Sequence, residues 1–178
     1  MFLLITALLV AVDQLTKWWA ATTFPLNGQG QYIGLGFYLT YIKNTGAAFG
    51  ILQDGTLVLG VLSAVVAVLL TVYLLRSPTT ARLQRAALTL ILAGALGNMI
   101  DRFVLGYVRD FIHFQIPSFN FAVFNVADSC VVIGAGLLLI SSFLPPHKPE
   151  PRSVPIHEET EFSDAEFFGD DELEREPS

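Results

Sequence analysis

The stretch GTLVLGVLSAVVAVLLTVYLL, residues 55–75, has 21 positions and no charged side chain. A helix needs about 20 apolar residues to cross a bilayer, so this stretch predicts a membrane-spanning helix. Three further apolar segments, interrupted by only a few charged residues, lie at 2–21, 86–108 and 121–144. Hydrophobic residues make up 53% of the chain and the mean hydropathy is +0.56, which excludes an ordinary soluble domain. The sequence therefore predicts an all-α membrane protein with four transmembrane helices.

The loop after residues 55–75 indicates how these helices are oriented. It contains Arg76, Arg82 and Arg85 and no acidic residue. Cytoplasmic loops are enriched in Lys and Arg, so this loop and both chain termini are predicted to be cytoplasmic. The loops 22–54 and 109–120 then face the outer side of the membrane.

The outer loop 22–54 carries a pattern of its own. Its stretch 37–42, FYLTYI, is rich in aromatic and β-branched residues, and glycines punctuate the rest of the loop. This composition favours one or two short strands. We therefore expect a small β-rich cradle on the outer, extracytoplasmic side.

The C-terminal region differs in composition from the rest of the chain. Residues 145–178 hold eleven acidic and three basic residues, with many prolines and few aliphatic side chains. Such a segment cannot bury enough apolar surface to fold. The sequence thus predicts a membrane domain at 1–146 and a disordered, acidic, cytoplasmic tail at 147–178 without a catalytic role.

Acidic side chains inside the apolar segments point to the functional site. A charge at mid-membrane costs on the order of 3 kcal/mol, so each is a functional candidate. Counting helical rise from the predicted interfaces places four of them in one layer, the outer leaflet. These four are Asp13, Asp101, Asp110 and Asp128.

Two of these acids have a basic residue placed to form an ion pair with them, and two do not. Asp13 with Lys17, and Asp101 with Arg102, are interpretable as ion pairs that hold helices together. Asp110 and Asp128 have no basic partner on their own helical face. Two such carboxylates brought close together share one proton, which is the chemistry of aspartic proteases and requires no metal or cofactor.

Other chemistries have little support in the sequence. Cys130 is the single cysteine, so neither an internal disulfide nor a multi-cysteine metal site is possible. The chain lacks the Gly-x-Ser-x-Gly, His-Glu-x-x-His and phosphate-loop motifs. A proton-coupled carrier remains an alternative, although it predicts acids spread across the membrane depth. A structural or assembly subunit is a third possibility, but it leaves the outer-leaflet carboxylates unexplained.

Five short motifs, in order, span nearly all of residues 13–128: DQLTK (13–17), NTGAAFG (44–50), GALGNMIDR (94–102), VRDF (108–111) and FNVAD (124–128). In these motifs the chain resembles the lipoprotein signal peptidases, also called signal peptidase II. The resemblance implies four transmembrane helices, an outer β-rich cradle and a catalytic pair formed by Asp110 and Asp128. It also implies a set of residues that line or support the site: Asp13, Lys17, Asn44, Gly46, Asn98, Asp101, Arg102 and Asn125.

The resemblance also implies a substrate and a location. The substrate would be a prolipoprotein whose lipobox cysteine already carries diacylglycerol, and cleavage would come just before that cysteine. The enzyme would act as a monomer in the bacterial cytoplasmic (inner) membrane, in contact with membrane lipid, with its active site near the outer leaflet. No metal, cofactor or nucleic acid is expected to take part. The preferred prolipoproteins, and the aspartate that holds the shared proton, are left open.

Overall fold

The computed structural model describes residues 1–46, 55–76 and 82–143, all of which belong to the compact unit Met1–His147. Its helices are α1 (Phe2–Thr23), α2 (Thr56–Arg76), α3 (Arg82–Leu105) and α4 (Val126–Ser142). The predicted acidic tail, and residues 47–50 of the second motif, lie outside the described residues.

Three of the helices are long and apolar enough to cross a membrane, namely α1, α2 and α3. The fourth, α4, is apolar but has only 17 residues, or about 25 Å at 1.5 Å per residue. Many large aliphatic side chains on the helices are exposed, for example Leu57 and Val68 on α2. Such a surface fits lipid rather than water as its surroundings.

Small residues allow α3 and α4 to pack closely. A Cβ atom at Gly134 of α4 would lie 2.7 Å from the Ala87 carbonyl oxygen of α3. A Cβ atom at Gly94 of α3 would lie even closer to the Ala127 carbonyl oxygen of α4. Close backbone contact at small residues is the usual way in which membrane helices associate. It fixes the position of α4, and with it Asp128, relative to α3.

A four-stranded antiparallel sheet of order β1-β2-β3-β4 accompanies the helices. Its strands are β1 (Gln31–Gly34), β2 (Phe37–Asn44), β3 (Val108–Ile116) and β4 (Phe119–Asn120). The first two confirm the strands predicted in the outer loop. The other two were not predicted, because Val108 was assigned to the third helix and residues 109–120 to an outer loop.

The end of α3 corrects that assignment. The helix stops at Leu105, and Gly106 follows with φ 78°, a left-handed conformation that commonly ends helices at glycine. Asp110 therefore lies on strand β3, paired with Ile42 of β2, and not at the end of a helix.

The start of α4 is a second correction. The fourth segment was predicted to be helical from about Phe121, with Asp128 roughly 10 Å inside it. Instead Phe124 forms an isolated bridge with Ile112 of β3, and Asn125 caps the helix. The Asn125 side chain accepts from the Asp128 backbone N–H, and the Asp128 carboxylate accepts from the Asn125 N–H. This capping box places Asp128 in the first turn of α4. The apolar run before Asn125 conceals the boundary from hydropathy.

Candidate active site

Asp110 projects from β3 into a buried polar cluster and is 1% exposed. One of its carboxylate oxygens accepts a hydrogen bond from the Asn44 amide at 2.8 Å, and the other accepts from the Asn125 amide at 2.7 Å. Burial and the neighbouring negative charge of Asp128 raise the pKa of Asp110 to about 7, although both amide hydrogen bonds oppose the shift. Asp110 thus titrates near neutral pH.

Asp128 reaches the same cluster from the first turn of α4. Its Oδ1 accepts from the Asn98 amide at 2.7 Å, and its Oδ2 accepts from the Asn125 backbone N–H at 3.2 Å. Asn125 therefore contacts both carboxylates, one through its side chain and the other through its backbone. Asp110 reaches the cluster from a strand, and Asp128 reaches it from the first turn of a helix.

Each of the three asparagine amides around the carboxylates has its orientation fixed by a donor on its oxygen. The Asn98 oxygen accepts from Lys17 at 2.8 Å, and the Asn44 oxygen accepts from the Gly46 N–H at 3.0 Å. The Asn125 oxygen accepts from the Asp128 N–H at 2.9 Å. Because each amide oxygen faces its donor, the NH₂ group of the same amide is directed to a carboxylate.

A buried ionic network lies beside the carboxylate pair. Lys17 forms an ion pair with Asp13 at 2.8 Å and lies 3.8 Å from Asp101. Arg109 contacts Asp101 through Nη2 at 2.7 Å, Nε at 3.0 Å and its backbone N–H at 3.0 Å. The two acids and two bases of this network balance in charge. Neither Asp110 nor Asp128 forms an ion pair with these two bases.

The network confirms one predicted ion pair and corrects the other. Asp13 and Lys17 are paired, four residues apart on α1. Asp101 pairs with Arg109 and not with Arg102, because adjacent helical residues project in different directions while the turn after α3 brings β3 back over the helix. Within the described residues, no hydrogen bond or ion pair engages the Arg102 guanidinium.

Arg102 and Asp128 both line a cavity of about 670 Å³ between α2, α3 and α4. Its polar end also includes Asn44 and Asn98, and the rest is mainly aliphatic, with Val66 of α2, Ile91 of α3 and Val132 of α4 among the lining residues. The cavity can therefore hold an apolar chain and present one point along it to the carboxylates.

Comparison with known proteins places this arrangement in a family. A family model described as signal peptidase (SPase) II matches residues 5–144. The chain belongs to the signal peptidase II family. It is 46% identical over 132 residues to a lipoprotein signal peptidase of Symbiobacterium thermophilum, covering 74% of this chain and 86% of the relative. A lipoprotein signal peptidase of Nostoc sp. is 44% identical over 142 residues, covering 78% of this chain and 89% of the relative.

Solved structures of bacterial membrane enzymes share the fold of this chain. Two are titled "Bacterial membrane enzyme structure by the in meso method" and have TM-scores of 0.72 and 0.71 to this chain. They are 30% and 32% identical to it, and the matches cover 83% and 82% of this chain and 94% of each solved chain. The chain is thus an integral membrane protein of an aspartic endopeptidase family.

In this signal peptidase II chain, all ten residues predicted for the site lie in or beside the two clusters. Two further residues were not predicted. Arg109 lies directly before Asp110 in the sequence but was not assigned to the site. Gln14 donates to the Gly97 carbonyl oxygen at 3.1 Å and to Asp101 at 3.1 Å, and accepts from Arg109 at 2.8 Å. The one available signal for Gln14 was its position beside Asp13 within the DQLTK motif.

Proposed function

We propose that this protein is a membrane aspartyl endopeptidase that removes the signal peptide from diacylglyceryl-modified prolipoproteins, cleaving before the lipidated lipobox cysteine. The observation that carries the proposal is the contact of Asn125 with both Asp110 and Asp128. Within the described residues these two carboxylates form no ion pair, and Asn125 brings them together beside an apolar cavity. Membership in the signal peptidase II family supplies the substrate class.

The proposed chemistry is that of two carboxylates sharing one proton. Asp110 holds the proton, because it is the more deeply buried of the pair and its pKa is about 7. Asp128 lines the cavity and is ionised, so it takes a proton from the attacking water while Asp110 protonates the carbonyl oxygen. Collapse of the resulting diol breaks the C–N bond. The nitrogen takes the proton held by Asp128, and a diol hydroxyl returns a proton to Asp110.

The cavity and Arg102 are proposed to bind the substrate. The aliphatic part of the cavity receives the apolar signal helix, and its polar end receives the peptide bond. Arg102 has five N–H donors and lies at that end, so it can donate to carbonyl groups of the bound chain. Neither role requires a metal or cofactor.

The membrane arrangement is also part of the proposal. All four helices cross the bacterial cytoplasmic membrane, with α4 as the shortest span. The arginines Arg76, Arg82 and Arg85 favour a cytoplasmic position for the α2–α3 connection and for both termini. The carboxylate pair and the sheet are then near the outer leaflet, where water is available. The protein acts as a monomer, and the region 147–178 takes no part in catalysis.

A cleavage assay in detergent tests the function. The purified full-length chain is incubated with a synthetic prolipoprotein segment that carries a diacylglyceryl cysteine, and in parallel with the unmodified segment. We expect cleavage just before the modified cysteine, little cleavage of the unmodified segment, and no effect of a metal chelator. Cleavage lost on chelation would contradict the aspartyl mechanism. An absence of cleavage combined with proton flux in vesicles would favour a carrier instead.

A further inference from the structure

Two carboxylates of the buried ionic network bind backbone amides as well as cations. The Asp13 Oδ1 atom accepts a hydrogen bond from the Ala127 N–H at 2.9 Å. The Asp101 Oδ2 atom accepts a hydrogen bond from the Arg109 N–H at 3.0 Å. Each of these amides belongs to the residue directly before one member of the carboxylate pair. Each acid of the network therefore holds the backbone beside one of the two site aspartates.

Lys17 joins the two acids that hold these amides. Its ammonium group lies 2.8 Å from Asp13, on the same helix α1, and 3.8 Å from Asp101 on α3. A continuous series of polar contacts thus runs from β3 through Asp101, Lys17 and Asp13 to the first turn of α4. Breaking an ion pair at such depth leaves an uncompensated buried charge, so this series resists stretching.

Both acids are confined on every side. The two oxygens of Asp13 accept from Ala127 and from Lys17, and a Cβ at Gly97 would lie 2.6 Å from the Asp13 carboxylate. Both oxygens of Asp101 accept from Arg109. Neither carboxylate can rotate or shift without losing a hydrogen-bond donor.

The three central residues of the network are separated from the space where a substrate would bind. Asp13, Lys17 and Asp101 are at most 1% exposed. Within the described residues they are also not part of the cavity wall, which Asp128 does line. An effect of these three residues on cleavage must therefore pass through the position of the carboxylate pair.

From these contacts we infer that Asp13 and Asp101 are positioning residues, which together with Lys17 set the separation of the Asp128 and Asp110 carboxylates. Asp13 holds the first turn of α4, and Asp101 holds the start of β3. The inference rests on the proposed function, because two carboxylates share a proton only when they are held close together.

Lengthening one acid at a time tests the inference. Asp13→Glu and Asp101→Glu keep the charge and the accepting oxygens of the network, but each moves a carboxylate by one methylene group. Leu92→Ala is the control, because Leu92 is buried in the apolar core and lies outside the network. The kcat, the KM and the melting temperature are measured for the full-length chain in detergent, with the diacylglyceryl-modified segment as substrate.

We expect each Glu variant to lose about a hundredfold in kcat, because a misplacement of about 1 Å at a reacting group has a cost of that order. The KM should stay unchanged, since the cavity wall is unaltered. Leu92→Ala should lower the melting temperature while kcat stays near the wild-type value. If one Glu variant does not fold, the other decides the test.

Two outcomes of this assay would overturn the inference. A wild-type kcat in the Glu variants would show that the network supplies charge balance alone. A loss of kcat in Leu92→Ala as large as in the Glu variants would show that cleavage responds to any loosening of the helices.

An infrared titration of Asp110 provides a test that needs no cleavage. The band of a protonated carboxyl group that disappears in Asp110→Asn is followed against pH in the wild type and in both Glu variants. The charge of Asp128 contributes to raising the pKa of Asp110 to about 7, so a changed separation should shift that pKa. An unchanged pKa in both Glu variants would overturn the inference. If the wild-type chain does not cleave the segment, the proposed function fails, and this titration still decides the inference.

Discussion

The Lys17 ammonium group donates to the side-chain oxygen of Asn98 at 2.8 Å, deep inside the protein. This contact leaves only the NH₂ group of Asn98 to face Asp128, which it meets at 2.7 Å. The amide of Asn98 therefore joins the ionic network to the carboxylate pair, and a buried cation sets the orientation of that amide. Lys17, on α1, thus determines that Asp128 accepts a hydrogen bond from the NH₂ group of Asn98.

The carboxylate pair should behave as a unit. Asp110→Asn, Asp128→Asn and the double variant are each expected to lose cleavage by at least about a thousandfold, because either change removes the shared proton system. The losses should not add. Membrane levels should stay normal, since asparagine keeps the volume and relieves like-charge repulsion. Cleavage by either single variant at near wild-type rate would contradict the mechanism.

The pKa of Asp110 predicts a pH dependence of cleavage. Since the pKa is about 7 and the protonated form is required, kcat/KM should fall as the pH rises through about 7. A rate profile between about pH 5 and pH 9 measures this. A rate that keeps rising over the alkaline half of that range would assign the proton to another group.

The same pKa predicts a change in stability with pH. The pKa is raised from 3.8 in the unfolded chain, so the folded state binds more protons between these values. The contribution of Asp110 to stability is therefore present below about pH 4 and is lost as the pH rises through about 7. Thermal unfolding in detergent should show this loss, and Asp110→Asn should reduce the pH dependence and unfold at a higher temperature at alkaline pH.

Arg109 and Arg102 form a matched pair for separating structural from functional roles. Arg109→Gln removes a partner from the fully buried Asp101 and should lower the free energy of unfolding by about 3–5 kcal/mol. Arg102→Gln should leave the melting temperature unchanged and reduce cleavage by about a hundredfold, on the scale of a lost transition-state donor. Melting temperature and cleavage rate are measured for both. The opposite pattern would exchange the two assignments.

Gly97 of α3 provides a test of how tightly α1 and α4 are held. A Cβ there would lie 2.6 Å from the Asp13 carboxylate and 3.1 Å from the Ala127 side chain. Because Asp13 also accepts from the Ala127 N–H at 2.9 Å, Gly97→Ala should displace the start of α4 and cost about 1–3 kcal/mol of stability. Gly136→Ala is the control, since within the described residues a Cβ at that position meets nothing within 4 Å. Equal stability of the two variants would contradict the packing argument.

The proposed topology can be measured by labelling. A cysteine at Gln31, exposed on β1, should react with a membrane-impermeant thiol reagent added to intact cells. A cysteine at Thr80, in the α2–α3 connection and outside the described residues, should react only after permeabilisation. The reverse result would invert the orientation and place the carboxylate pair near the cytoplasm.

The sequence by itself determined the class of protein and the acidic residues that are candidates for the site. Long uncharged runs can only be accommodated in a membrane, so residues 55–75 were sufficient to predict a span. A charged side chain inside the membrane costs so much free energy that the positions of the acids alone indicated a functional site. Family membership then followed from short motifs whose order along the chain is readable without a structure.

Only the tertiary structure decided which groups meet. The pairing of Asp101 with Arg109 depends on a turn at Gly106 that reverses the chain, and the contacts of Gln14 with Gly97 and Arg109 depend on how α1 packs on α3. Such contacts join residues distant in sequence, and helical spacing within one segment carries no information about them. The start of α4 at Asn125 was likewise hidden, because a capping box is a geometric arrangement inside a run that is uniformly apolar up to that residue.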